Sequence, residues 1–373
     1  MKKRLAQAVL IGDHSRKLEK HSKEGKPRML YIGLDVHSKW TTVVGFDPVT
    51  GETVRIDKMP NDRGSLRDAL GSLKGPLHGA MESGTNSWAM YRELLPYFET
   101  LVVGEPAKLW DRQMDRGAKT DRRDAMRMAE KLYRGEIEPL YIPDERTQDL
   151  RVLVRGKVRI SRWVTRLTNE VGSLLRSWGY VGNRSLLSKS GKSRIDEADL
   201  PVHSARVLQL WGELLEKARE IEDELQKTIE EEAAADEGCA ILKSMPNVGA
   251  FTALLVRAEI GDIQRFSKPS CLVSYCGLSP RTFQSGERCY YGGRGNWGNR
   301  WLKYALGLFA NRVAASKKDN KLHRLYWRVS MRSHRNDRKM AVARKAIEII
   351  YHLLKKKEFW NESMAATPRD FAA

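Results

Sequence analysis

In the segment YIGLDVHSKWTTVVGFD the run from Tyr31 to Val36 is almost continuously apolar, and it carries Asp35 in its interior. A short apolar run of this kind reads as a buried strand. A carboxylate inside it needs compensation, because burying an isolated charge is expensive: it must be paired, protonated or bound to a cation. Glu82 repeats the pattern at the end of a second apolar run, LHGAMESG, with Gly84 closing the strand. In KTDRRDAMRMAEKL the acids Asp121 and Asp124 are spaced i and i+3, which sets both carboxylates on one helix face about one turn apart.

Oxygen ligands of this kind suit hard divalent ions such as Mg²⁺, and two cations shared among Asp35, Glu82, Asp121 and Asp124 suit in-line attack at a phosphodiester. Taken singly, each acid is more readily a cap, a turn or a solvated face. Their order on strand, strand and helix is what joins them into one candidate site. Asp47, Asp57, Asp111 and Asp115 stand in turn-like or exposed contexts and are read as bystanders.

Residues 28–146 alternate strand and helix signals, with strands near 29–36, 40–47, 52–58, 77–83 and 99–105 and helices near 86–97 and 121–134. The first three strands form a meander, turned between the second and third by Asp47-Pro48-Val49-Thr50-Gly51. Three antiparallel strands followed by strands alternating with helices is the order of the ribonuclease H fold. The expected class is therefore α/β plus α: a ribonuclease H-like domain, a helical linker with coiled-coil character over 147–238, and a mostly helical C-terminal domain over 239–345. A basic extension, 1–27, and a tail, 346–373, flank these.

Lys and Arg number 66 against 47 acidic residues, a net charge of +19, which points to a polyanionic partner, nucleic acid by default. No stretch approaches the ~20 apolar residues of a membrane-spanning helix. The start, MKKRLAQAVLIGDHSRK, has only a short apolar run, and reads as a soluble basic extension rather than a signal peptide. Cys239, Cys271, Cys276 and Cys289 include no CxxC pair, so free thiols packed as small hydrophobes are expected rather than zinc.

From about 147 to 180 the helical pattern interleaves Arg151, Arg155, Arg159, Arg162 and Arg166 with Trp163 and Trp178. Such a face can stack on bases and grip phosphates, or it can be a solvated helix with its tryptophans in a core. Residues 182–200 read as a loop and 203–236 as a long amphipathic helix. The segment LKSMPNVGAFTALLVRAEIGD resembles a helix-hairpin-helix element able to hold a DNA phosphate, although an ordinary helix-turn-helix packing unit has the same pattern. Arg324 and Arg328 lie in a strongly basic stretch, 311–345, expected to bind backbone in a salt-sensitive way.

In SYCGLSPRTFQSGERCYYGGRGNWGNRWLKYALGLFANR, Ser285 is followed by a glycine-rich loop containing Arg294, then by Arg300 and Lys303. Glycines allow close backbone approach and arginines offer bidentate phosphate contacts. By spacing alone Ser285 is a hairpin residue, since no His or Lys base is adjacent in sequence.

The pieces LDVHS, MESG, KTDRRDA, MPNVGAFTA, RFSKPSCLVSYCGLSP, QSG and GNRWLKYAL, in this order, resemble the DEDD transposases of the insertion-sequence one-ten family, described as bridge-RNA-guided recombinases. The likeness covers most of residues 29–315. It implies a Holliday-junction-resolvase-like domain in which Asp35, Glu82, Asp121 and Asp124 bind Mg²⁺, and a nucleophilic Ser285 that forms a covalent phosphoserine link to DNA. It further implies donor and target DNA and a structured noncoding guide (bridge) RNA as partners. A homodimer assembling to a homotetramer, and action at the bacterial nucleoid in the cytoplasm, are part of the same expectation. Two rivals stand beside it. One is a structure-specific, metal-dependent endonuclease that uses water as nucleophile. The other is a nucleic-acid-binding module whose acids are structural.

Overall fold

The computed structural model describes residues 29–109, 120–180, 199–279, 281–285, 288–292, 297–316, 320–330 and 335–362, with backbone alone at 281–285, 288–292, 330, 335 and 336. The chain divides into two compact units, one ending at Ile142 and one beginning at Pro143.

The first unit is built on a mixed five-stranded sheet in the order β3-β2-β1-β4-β5, with β1 Leu30–Val36, β2 Trp40–Phe46, β3 Thr53–Pro60, β4 Leu77–Glu82 and β5 Thr100–Gly104. The β1–β2 and β2–β3 pairs are antiparallel, whereas β4 pairs with β1 and β5 in parallel. Each expected strand is present to within two residues at either end. Asp47 ties the β2–β3 turn by accepting the Val49 and Thr50 amides at 2.8 and 3.3 Å. Helix α1, Arg63–Gly71, has no counterpart in the sequence reading: its apolar signal is only Leu66 and Leu70, which are both buried, and Asp62 caps its start. Helix α2, Ser87–Leu94, runs into a 3₁₀ turn, Leu95–Tyr97; a one-turn helix α3, Pro106–Leu109, follows β5; and α4 spans Asp121–Tyr133.

The two faces of this sheet are covered differently. Leu30, Ile32 and Leu34 of β1 share a core with Leu66, Leu70 and Leu94. The opposite face takes α4. There β1 contributes Gly33, and a Cβ placed on it would stand 1.8 Å from the Ala125 carbonyl oxygen. Glycine is what lets the helix backbone lie directly on the strand.

In the second unit α5, Glu145–Ser177, and α6, Val202–Ala235, pack as an antiparallel pair, joined by Arg146 to Glu232, Lys157 to Glu222 at 3.1 Å, and an apolar contact of Val171 and Leu175 with Leu208. Helix α7, Glu237–Lys243, turns into α8, Ala250–Ile260, which is buried almost all round and forms the centre of the unit. Helix α9, Pro269–Tyr275, a β6–β7 hairpin, Arg281–Ser285 and Arg288–Gly292, and helices α10, Arg300–Ala315, α11, Lys321–Ser330, and α12, Arg335–Lys356, complete it. Val154 and Val158 of α5 belong to the same core as α8, α10 and α12, and α12 continues without a break through residue 345 to place Ile347, Ile350 and Leu353 there. Two of the expected boundaries, at 238/239 and 345/346, thus fall inside one packed body. Cys239 and Cys276 are buried free thiols; burial raises both, Cys276 to about 12, which leaves them inert. Among the described residues no helix is long and apolar enough to cross a membrane.

Candidate functional site

Asp35 is the last but one residue of β1, on the face that α4 covers, since it alternates with Gly33. Leu34 pairs with Met81, so Glu82, closing β4, stands beside Asp35 on the neighbouring parallel strand. Helix α4 begins at Asp121 because Thr120 caps it, its hydroxyl accepting the Arg123 amide, and Asp121 and Asp124 fall in its first turn, where the helix dipole favours negative charge. The seat of Ala125 on Gly33 brings that turn to the end of β1. The structure joins there a residue whose role the sequence left unread: His37 Nε2 lies 3.2 Å from Asp35 Oδ2 and 3.2 Å from Asp121 Oδ2. Its backbone carbonyl accepts Asn61 Nδ2 at 2.8 Å and Asn86 Nδ2 at 2.9 Å, which pins the β1–β2 turn. Nothing in a single sequence distinguishes these asparagines from ordinary turn residues. Asp57, read as a bystander, holds the helix from outside: Arg122 of α4 donates to both of its carboxylate oxygens, at 2.8 and 2.6 Å. Asp111 and Asp115 lie outside the described residues.

The ligand atoms of Asp35, His37 and Asp121 all lie within 4.8 Å of one another. This donor set fits a divalent cation. Asp35 is half-buried, two further carboxylates press on it, and the imidazole of His37 opposes them. Burial, then Asp121 and Asp124, push the Asp35 carboxyl up from its ordinary value, against the opposing pull of His37. A raised carboxyl is a penalty on the fold. As pH rises the unfolded chain ionises first, so stability falls between the unfolded and folded pKa values and stays reduced at neutral pH; below the unfolded value the penalty vanishes. Asp35→Asn is therefore expected to raise the melting temperature at neutral pH without divalent ions and to lose that gain in acid. A lower melting point at neutral pH would contradict the placement.

In the second unit the arginines of α5 part company. The sequence puts Arg151 among the phosphate-gripping residues, but it is 8% exposed and donates to the Ala258 and Glu259 carbonyls at 2.8 and 3.0 Å, completing the C-terminus of α8. An interior position withdraws it from any phosphate. Arg155 is likewise committed, bidentate at 2.6 and 2.9 Å to Glu259, which is fully buried. Glu259 also accepts Asn299 Nδ2 at 2.8 Å, and this orients the other amide atom, Oδ1, to cap α10 through the Trp301 and Leu302 amides. Arg159, Arg162 and Arg300 are exposed and stand over the Trp301 ring at 5.8, 6.0 and 4.7 Å, a basic face at the N-terminus of α10. Arg166, Arg324 and Arg328 are exposed, and Lys303 donates to the Trp297 carbonyl. Trp163 and Trp178, 62% and 48% exposed, are not core residues. Ser285 ends β6 opposite Arg288, at the close of the hairpin. Its side chain, and all of Arg294, lie outside the described residues.

Two family models match the chain. A DEDD transposase model covers residues 32–179, and the model of the IS116/IS110/IS902 transposase family covers residues 239–327. Among curated proteins the chain is 26% identical over 371 residues to the transposase for insertion sequence element IS1111A of Coxiella burnetii, spanning 95% of this chain and 97% of that one. It is 25% identical over 338 residues to a probable family 20 transposase of Pseudomonas aeruginosa, 87% and 97% of the two chains. It is 23% identical over 402 residues to an insertion element IS110 protein of 43.6 kDa from Streptomyces coelicolor, 90% and 96%. The acidic cluster lies inside the first match and the serine hairpin inside the second, and on both counts this chain belongs to the IS110 family of transposases, enzymes that move DNA.

Proposed function

We propose that this transposase cuts and joins DNA through a covalent phosphoserine at Ser285, with Mg²⁺ held by Asp35, Glu82, Asp121 and Asp124. The observation that carries the reading is the convergence of Asp35 and Asp121 at the end of β1, on a mixed sheet of three antiparallel strands followed by two parallel ones. The serine hydroxyl attacks phosphorus, forming a P–O bond to the enzyme and breaking one P–O bond of the backbone, so that a strand leaves with a free hydroxyl. A second strand's hydroxyl reverses the step and restores the serine. Mg²⁺ supplies charge stabilisation at the phosphodiester. His37 stands between two of the carboxylates, and the start of α4 supplies a positive dipole beneath them.

A structured guide RNA chooses donor and target DNA by base pairing, and Arg159, Arg162, Arg166, Arg294, Arg300, Lys303, Arg324 and Arg328 hold nucleic-acid backbone, adding affinity rather than sequence readout. The α7–α8 turn, 244–249, is a further phosphate holder of helix-hairpin-helix type. The enzyme works in the bacterial cytoplasm at the nucleoid as a dimer that pairs into a tetramer, with α6 in the contact. The test is to isolate the protein under denaturing conditions from cells carrying its flanking DNA. DNA is expected to stay attached to the parent chain and to be absent from Ser285→Ala. No adduct in either, with nicking that still needs Asp121, would replace this mechanism by hydrolytic cleavage.

A further inference from the structure

Between α10, α11 and α12 lies an open cleft of about 620 Å³. It is lined by Asn311, Ala314, Ala315, Tyr326, Trp327, Arg338 and Lys339. The sequence of α11, KLHRLYWRVS, explains how an indole comes to stand in the open there. Leu322 and Tyr326, four residues apart, are buried and fasten the helix to the core, while Asn320 caps it by accepting the His323 amide at 2.9 Å. That leaves Trp327 on the outer side, 50% exposed. Its ring is not loose. The indole N–H donates to His323 Nε2 at 2.8 Å one turn earlier, and Tyr326 meets it edge-on with centroids 5.4 Å apart. Arg338 stands over the Tyr326 ring at 6.0 Å, and Lys339 follows it along α12. A fixed, half-exposed aromatic face beside two cations, on a strongly basic stretch of chain, has the chemistry of a base-stacking platform with its phosphate clamp.

We propose that this cleft binds one unpaired nucleobase, stacked on Trp327, with the adjoining phosphate held by Arg338 and Lys339. The inference rests on the reading of this chain as a nucleic-acid enzyme and deepens it: it assigns to α11 and α12 a grip on a single-stranded or bulged nucleotide. Every base has a stacking face, so the site tolerates sequence, and the preferred sugar identifies the source as RNA or DNA.

The experiment uses the full chain with short oligonucleotides, single-stranded DNA, single-stranded RNA and the matching duplexes, each carrying 2-aminopurine, whose emission is quenched on stacking. Trp327→Ala is expected to weaken single-strand binding about tenfold and to relieve the quenching, with duplex binding unchanged; Trp327→Phe restores most of both. Lys339→Ala is expected to lower the salt slope by about one and Trp327→Ala to leave it alone. Equal losses for single strands and duplexes, or quenching that survives Trp327→Ala, would overturn the proposal. So would a change in sedimentation with binding untouched, which would mark the cleft as a seat for a second copy. If the parent chain binds none of the probes, the nucleic-acid reading itself fails; if it binds and Trp327→Ala changes nothing, only the cleft assignment falls.

Discussion

A Gly33→Ala chain is expected to lose DNA cleavage by at least a hundredfold and to melt well below the parent. The added methyl would meet the Ala125 carbonyl oxygen at 1.8 Å, with the Ala129 amide nitrogen also close at 3.0 Å, and these are backbone atoms of α4 that no rotamer change can move aside. Either the strand or the helix must shift. Overpacking of this kind costs about 1–3 kcal/mol and occasionally more. The catalytic loss follows from the same displacement, because Asp121 and Asp124 ride on the turn just before Ala125, while Asp35 is fixed in the sheet through its pairing with Thr42. A misplacement of about 1 Å can cost a hundredfold. Calorimetry and an adduct or cleavage assay would read both effects. Gly71→Ala, where an added Cβ meets nothing within 4 Å, serves as the control and is expected to leave both unchanged. Parent-like melting and activity in Gly33→Ala would mean that α4 does not seat on β1 as described.

The second large effect is expected at Glu259, far from the acidic cluster in the chain. This carboxylate is fully buried, and Arg155 answers it with two hydrogen bonds while Asn299 adds a third. Removing one partner of a buried pair leaves the other as an uncompensated charge and typically costs about 3–5 kcal/mol. In a unit of this size each kcal/mol moves the melting point about 2–4 °C, so Glu259→Ala should lower it by on the order of 10 °C. Arg155→Met together with Glu259→Met should recover much of the loss, since an apolar pair can replace a buried ion pair nearly neutrally. The amide of Asn299 keeps only its 3.2 Å hydrogen bond to the Tyr275 hydroxyl in the single variant, so the N-terminus of α10 should fray and amide exchange at Trp301 and Leu302 should rise. Unchanged exchange there would separate the stability of the unit from the capping of α10.

Apolar runs placed all five strands of the sheet, and the spacing of Asp121 and Asp124 the start of α4, because an apolar run, a turn such as Asp47 to Gly51 and an i,i+3 pair are local signals. The same locality put Asp35, Glu82, Asp121 and Asp124 on strand, strand and helix in the order that made them one candidate site. Helix α1 escaped for the converse reason: two buried leucines make too short a period to register. What no local pattern carries is the partner across the fold. A row of arginines on α5 looks the same whether it faces phosphate or a carboxylate 104 residues further on, and so Arg151 and Arg155 read as binding residues until α8 was seen to take them. His37 was visible within LDVHS, yet its place between Asp35 and Asp121 depends on α4 lying against Gly33, a backbone contact that a glycine permits but does not announce. The chain's periodicity determined which faces are buried and which residues could hold charge near them; only the tertiary structure decided what each face is buried against, because desolvation and pairing energies depend on neighbours that sequence distance does not reveal.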